Sequence, residues 1–259
     1  MPLLVLNGIA VEYEQQGAGT DLLLLHSLLT ELTVFERVLP ALARRHRVTR
    51  VNLPGFGRSA LKALDSVGGC ADHVAEVMTA LKLPGTTDVF GNGFGGFVAL
   101  VLAIRHGTCF RRLLVADALA AFPDAARVPF RVMAEKVRAG GMTTVLDAAI
   151  GRMFPPEFAS ANPEEIRIRK AALSKVDPEC FARACLALAA LDLTAQLKTI
   201  MNPTLVMCGT LDQTTPPVLA RELAIGIPGA AYLDLPASGH CPMVEQPDAL
   251  TAGIERFIA

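Results

Sequence analysis

The stretch DVFGNGFGGFVALVLA at 88–103 carries the densest chemical signal in the chain. A short β-type run enters a turn containing Gly91, Gly93, Gly95 and Gly96 and leaves as a continuous apolar segment of helical length. Strand, glycine turn and helix in that order admit two chemistries. GNGFGG matches the G-x-G-x-x-G spacing in which backbone N–H groups cradle a dinucleotide pyrophosphate. Against this, the turn falls about ninety residues into the chain, and of the acids that such a site wants about twenty residues further on, only Asp117 is loosely placed. The same turn has the pattern of a nucleophile elbow, G-x-S-x-G, with Gly93 where the serine belongs. Gly91, Gly95 and Gly96 then stand where small residues let strand and helix approach closely. Gly93 takes the strained position that glycine tolerates best. Such a turn keeps its fold and loses the reacting oxygen.

An elbow needs an acid and a histidine after it, in that order. Asp212 lies in CGTLDQTTPP and His240 in ASGHCPMVEQPDAL, each just past a β-type run. The imidazole would act as general base and acid, and the carboxylate would fix its tautomer and stabilise its charged form. Asp117 is the reserve acid. An oxyanion hole needs two N–H donors. One is the amide after the nucleophile position, Phe94; the other is expected at Leu28 in LLLLHSLLTE, after a strand at 22–25. His26 and Ser27 fill the place where such loops usually carry a His-Gly pair. His26 is expected to hydrogen-bond beneath that loop rather than act as the base.

These loops must be held by a scaffold. Short apolar runs at 10–15, 22–25, 48–51, 88–90, 113–116, 204–208 and 231–235 alternate with helical patterns at 33–44, 70–81, 94–106, 217–225 and 247–258. That alternation predicts an α/β fold with a mostly parallel central sheet flanked by helices, and several runs are apolar throughout, as strands buried on both faces are. From about 122 to 199 the pattern is helical with no convincing strand. We expect a helical cap at 122–199 inserted into a core formed by 1–121 and 200–259. The cap offers apolar side chains for a pocket, with His26, Ser27, Phe122, Phe130, Met133, Met153 and Phe154 as candidate lining residues. Arg131 and Arg138 are candidate receptors for a substrate carboxylate.

Composition limits the remaining possibilities. With 24 Lys+Arg against 25 Asp+Glu the chain has no electrostatic footprint for nucleic acid or an anionic membrane. Its 52% hydrophobic content excludes intrinsic disorder. Cys70, Cys109, Cys180, Cys185, Cys208 and Cys241 form no CxxC pair, so reduced core thiols are expected rather than disulfides or a zinc site. The first residues lack a basic n-region and a cleavage site, and no apolar run reaches membrane-spanning length, so the expected location is cytoplasmic.

Taken together, LLLLHS, NLPGFGRS, GNGFGG, GTLDQTTPP and SGHCPMVEQP resemble the α/β-hydrolase superfamily over essentially the whole chain. Within it, HSLLTELTVFERVLPALARRHRVTRVNLPGFGRSA and KVDPECFARACLALAALDLTAQLKTIMNPTLVMCGTLD are most similar to 3-oxoadipate enol-lactonase-type esterases and lactonases. The resemblance implies acyl transfer to a serine at 93, with no metal and no organic cofactor, on a small-molecule ester or lactone. With Gly93 in that place and Asp212 and His240 retained, the expectation is a deliberate Ser→Gly knockout of an active hydrolase, impaired by several orders of magnitude. The alternatives are a natural non-hydrolytic member of the fold, binding a ligand or using the His240–Asp212 pair alone, and a carbon–carbon bond hydrolase.

Overall fold

A strand with no polar position can only sit at the centre of a sheet covered on both faces. Leu22, Leu23, Leu24 and Leu25 meet that condition, and all four are 0% exposed in the computed structural model, which describes residues 2–60 and 66–259. Among the described residues eight strands form one sheet: β1 Leu3–Leu6, β2 Ile9–Gln16, β3 Thr20–Leu25, β4 His46–Val51, β5 Asp88–Asn92, β6 Leu113–Ala116, β7 Thr204–Gly209 and β8 Ala231–Leu235. Their spatial order is β1-β2-β4-β3-β5-β6-β7-β8. The pairs from β4 to β8 are parallel, whereas β1–β2 and β2–β4 are antiparallel. This is the α/β fold with a mostly parallel central sheet that the sequence pattern predicts, with loops after β3, β5, β6, β7 and β8 at the carboxyl ends of the parallel strands.

β1 was not expected. It pairs with β2 across Asn7 and Gly8, both at positive φ (53° and 78°). Asn-Gly is the preferred sequence for such a two-residue hairpin turn, so the signal was there to read.

The helices are α1 Leu39–Leu42, α2 Val67–Ala80, α3 Phe94–His106, α4 Asp124–Gly140, α5 Leu146–Met153, α6 Pro156–Ala161, α7 Pro163–Leu173, α8 Pro178–Ala190, α9 Pro217–Gly226, α10 Pro242–Glu245 and α11 Pro247–Ile258. The single helix expected over 33–44 is instead a 3-10 turn at Leu32–Phe35 followed by α1. Pro40 lacks the N–H that a continuing helix needs, so a new helix starts there with proline in its first turn. α3 is apolar on nearly every face, and Phe94 to Ala103 are all buried against the sheet.

Between β6 and β7 the chain runs through α4 to α8. It leaves and returns at neighbouring points, where Ala121 and Asp192 form an isolated antiparallel bridge. No helix among the described residues is long and apolar enough to cross a membrane. All six cysteines are free thiols, and all but Cys109 are buried.

Candidate active site

The turn from β5 into α3 is made by backbone crowding. Gly93 has φ 52° and ψ −118°, a conformation that a side chain makes costly. A Cβ on Gly91 would run into the backbone of Gly95, and one on Gly95 would run into Leu25 O and lie 2.7 Å from His26 O. The Gly95 N–H donates to His26 O at 2.9 Å, which ties α3 to the loop after β3. The Gly93 carbonyl accepts the Phe97 N–H at 3.0 Å, along the helix. Because a trans peptide sets C=O and N–H in opposite directions, the Phe94 N–H points back out of the helix start.

The loop after β3 presents a second amide by the same rule. The Ser27 carbonyl accepts from His26 Nδ1 at 2.8 Å, Thr30 N–H at 3.2 Å and Thr30 Oγ1 at 3.1 Å. Three donors on one side of that peptide turn the Leu28 N–H to the other. His26 also accepts the Leu53 N–H on Nε2 at 3.0 Å and meets Phe56 edge to face. Its burial holds the imidazole well below the usual range, at about 4, against a smaller opposing effect of the Ser27 carbonyl. It is a neutral prop under the loop with both ring nitrogens engaged. Its place among the pocket-lining candidates is therefore corrected.

His240 is clamped through its own backbone. Its N–H donates to Met153 O at 3.0 Å, and its carbonyl accepts from Asn92 Nδ2 at 3.1 Å. The flanking N–H groups of Gly239 and Cys241 both donate to the Glu245 carboxylate, at 2.7 and 3.0 Å. The ring presents Nδ1 to Asp212 Oδ2 at 2.8 Å. Asp212 in turn accepts from Thr215 Oγ1 at 2.5 Å and from the Thr214 and Thr215 N–H groups at 2.7 and 3.2 Å. With Nδ1–H committed to the carboxylate, Nε2 carries the lone pair on the opposite side of the ring. Burial disfavours the imidazolium, but the charge and hydrogen bond of Asp212 outweigh it and set the His240 pKa above its ordinary value.

Asp117, the reserve acid, is close by but differently engaged. It accepts from the Gly209 N–H at 2.8 Å and from Asn92 Nδ2 at 3.0 Å. Complete burial, and then the charge of Asp212, push its carboxyl well above the usual carboxylate range. One oxygen of each carboxylate and one imidazole nitrogen of the Asp117–Asp212–His240 group lie within 4.8 Å of one another, a donor set that suits a metal by type. All three side chains are already occupied by the hydrogen bonds just described.

These elements enclose a narrow cleft with a free interior of ≈ 20 Å³, lined by Ser27, Leu28, Gly93, Phe94 and His240. Phe122, Phe130, Met133 and Leu188 form the opposite wall, joined by Arg152. Met153 and Phe154 do not reach this cleft. They line a separate recess that also touches His240, because α5 turns its Arg152 face toward Phe130 and its Met153 face away. Arg131 and Arg138 are not at the site either: both are exposed, and Arg138 pairs with Glu179 at 2.9 Å. The cation at the cleft is Arg152, which the sequence reading missed. Its guanidinium lies 5.1 Å from the centre of the Phe130 ring. Among the described residues it has no ion-pair partner. Burial lowers its pKa, and Asp212 partly offsets that.

Residues 22–253 match the model of the Alpha/beta hydrolase family. The chain is 30% identical over 258 residues to a pimeloyl-[acyl-carrier protein] methyl ester esterase from Aeromonas hydrophila subsp. hydrophila, covering 96% of this chain and 100% of that one. It is 27% identical over 263 residues to polyketide synthase ThaQ from Burkholderia thailandensis; that alignment takes in 97% of this chain, which spans only 12% of the relative's length. In three dimensions it is similar to the crystal structure of the enol-lactonase from Burkholderia xenovorans LB400, with TM-score 0.92, 28% identity and 99% of each chain covered.

Proposed function

The chain belongs to the alpha/beta hydrolase family, and from that premise we propose that it hydrolyses a small carboxylic ester or lactone through an acyl-enzyme. The observation that carries this reading is the His240 ring, held by Asp212 at 2.8 Å with Nε2 turned toward the cleft. In this reading Nε2 takes the proton of the attacking hydroxyl and returns it to the leaving alkoxide. The Leu28 and Phe94 amides stabilise the oxyanion between them. Residues 122–199 serve as the cap, since Phe122, Phe130, Met133, Arg152 and Leu188 all reach the cleft from that segment. The five buried, unpaired thiols fit a reducing compartment, which supports a cytoplasmic location.

The pH profile tests the proton chemistry. His240 must be neutral to accept a proton, so kcat/KM falls as pH drops through its pKa. With that pKa raised above the ordinary 6.5, the acid limb is expected above pH 6.5. A limb well below 6.5 in hydrolysis of p-nitrophenyl acetate would remove His240 from the base role.

Arg152 narrows the substrate class. A partly buried guanidinium with no ion pair among the described residues, at the wall of this narrow cleft, suits a small substrate carrying an anionic group away from the scissile carbonyl. Arg152→Met is expected to raise KM about 10-fold or more for a carboxylate-bearing ester and to leave a neutral ester of the same size within about 2-fold. Equal effects on both esters would make Arg152 a packing residue.

Position 93 has no side-chain hydroxyl, so no acyl-enzyme forms there. Against a serine-bearing parent, elbow chemistry in this chain is impaired. Turnover that appears only when serine is placed at 93 and the Ser27 side chain is removed, in Ser27→Gly/Gly93→Ser, would mark the glycine as the replacement of a working serine.

A further inference from the structure

We propose that Ser27 is the nucleophile of this protein: the serine missing from the elbow is supplied by the loop after β3. The inference rests on the ester-hydrolase reading and names the group that reading lacks. Ser27 Oγ lies 3.4 Å from His240 Nε2, a long hydrogen bond of the kind that tightens between a nucleophile and its base when substrate binds. Both side chains are buried, at 2% and 4% exposure, and both border the cleft. Among the described residues no other hydroxyl hydrogen-bonds Nε2; the Thr215 hydroxyl faces the Nδ1 side at 3.5 Å.

The decisive geometry is the overlap between positions 27 and 93. A Cβ built on Gly93 would meet Ser27 Oγ, and would lie 2.9 Å from Ser27 Cβ and 2.7 Å from His240 Nε2. The Ser27 hydroxyl therefore fills the space that a side chain on the elbow would need. A side chain at 93 needs both the Ser27 hydroxyl and the His240 ring to shift. The glycine at 93 and the serine at 27, where a His-Gly pair would usually put glycine, read as one paired exchange. Ser27 is also held firmly, because its carbonyl takes three hydrogen bonds.

The oxyanion donors survive the exchange. In an elbow, one donor is the amide that follows the nucleophile. Leu28 follows Ser27 as Phe94 follows Gly93, and both residues line the same cleft. The reaction balances without a co-reactant other than water. Ser27 Oγ bonds to the acyl carbon while its proton passes to His240 Nε2, and the carbonyl electron pair moves to the oxyanion. Collapse of that oxyanion breaks the acyl C–O bond, and the departing alkoxide takes the proton from Nε2; in a lactone it stays tethered. Water then gives a proton to Nε2 and attacks the acyl group. Ser27 leaves with that proton, releasing the acid.

The test combines p-nitrophenyl acetate turnover with labelling by a fluorophosphonate, followed by peptide mapping. The unaltered chain is expected to hydrolyse the ester and to carry the phosphonyl group on Ser27. Ser27→Ala, folded by circular dichroism, should lose at least about 10³-fold in kcat with KM within a few-fold, and should not be labelled. The double variant Ser27→Gly/Gly93→Ser removes the overlap with Ser27, leaves only the His240 ring to shift, and should move the label to position 93. Full activity in Ser27→Ala overturns the proposal and leaves the ester-hydrolase reading in place, with His240 activating water. An inert unaltered chain beside an active double variant also overturns it, and identifies a disabled elbow enzyme. If the unaltered chain and the folded double variant are both inert on esters and lactones, the ester-hydrolase reading itself fails.

Discussion

Asp212→Asn is expected to lower kcat for ester hydrolysis about 10⁴-fold while leaving the fold intact. The carboxylate does two things for His240. It accepts the Nδ1–H at 2.8 Å, which leaves Nε2 free to take a proton, and its charge raises the imidazole pKa against the burial that would lower it. An asparagine that turns its amide NH₂ toward the ring favours the opposite tautomer and puts a hydrogen on the nitrogen that must act as base. The Thr214 and Thr215 N–H groups still hold the other oxygen in place, so the geometry persists while the chemistry is lost. What remains of the rate should show its acid limb at lower pH than in the unaltered chain, because the main opposition to burial is then gone. Steady-state kinetics from pH 5 to 9 read both effects; a loss below about 10-fold with an unmoved limb would place the proton chemistry elsewhere.

The second large effect is on stability. Gly95→Ala is expected to cost about 3 kcal/mol or more and to lower Tm by about 10 °C, or to prevent folding. The new Cβ would press on Leu25 and His26 backbone, and strand carbonyls cannot swing aside as a side-chain end can. Relief requires moving α3 off β3, which breaks the Gly95 N–H to His26 O bond and opens the sheet where both candidate oxyanion amides are set. Gly151→Ala is the matched control. Nothing lies within 4 Å of its added Cβ, and it sits inside α5, where alanine is the better helix former. It should leave Tm unchanged or raise it. Thermal melts of the two variants side by side separate glycine as a packing necessity from glycine in general; equal Tm values would refute the close-approach argument.

The elbow was legible because its glycines answer a local constraint: each sits where strand and helix backbones nearly touch. Asp212 and His240 were legible for a similar reason, since the ends of β7 and β8 fix which side of the sheet a following loop occupies. Local patterns failed where the outcome depended on which face of a helix meets the core. Arg152, Met153 and Phe154 are consecutive, yet the cation reaches the cleft and the two apolar residues line the recess behind His240. Helical spacing marks the cap without orienting α5. The 33–44 region was over-read as one helix because its apolar spacing outweighed Pro40. Ser27 stood in view as a loop residue beside the donor amides. Its overlap with position 93 belongs to the packing of β3 against α3, 66 residues apart, and no pattern along the chain encodes it.

The most direct measurement of the central claim is hydrolysis of p-nitrophenyl acetate and a panel of small lactones by the unaltered chain and by His240→Gln. The account predicts turnover well above buffer for the unaltered chain and a loss of about 10³-fold or more in the variant, with both proteins equally folded. Two folded proteins that hydrolyse every ester and lactone at the same rate would contradict it, since His240 would then have no part in the chemistry.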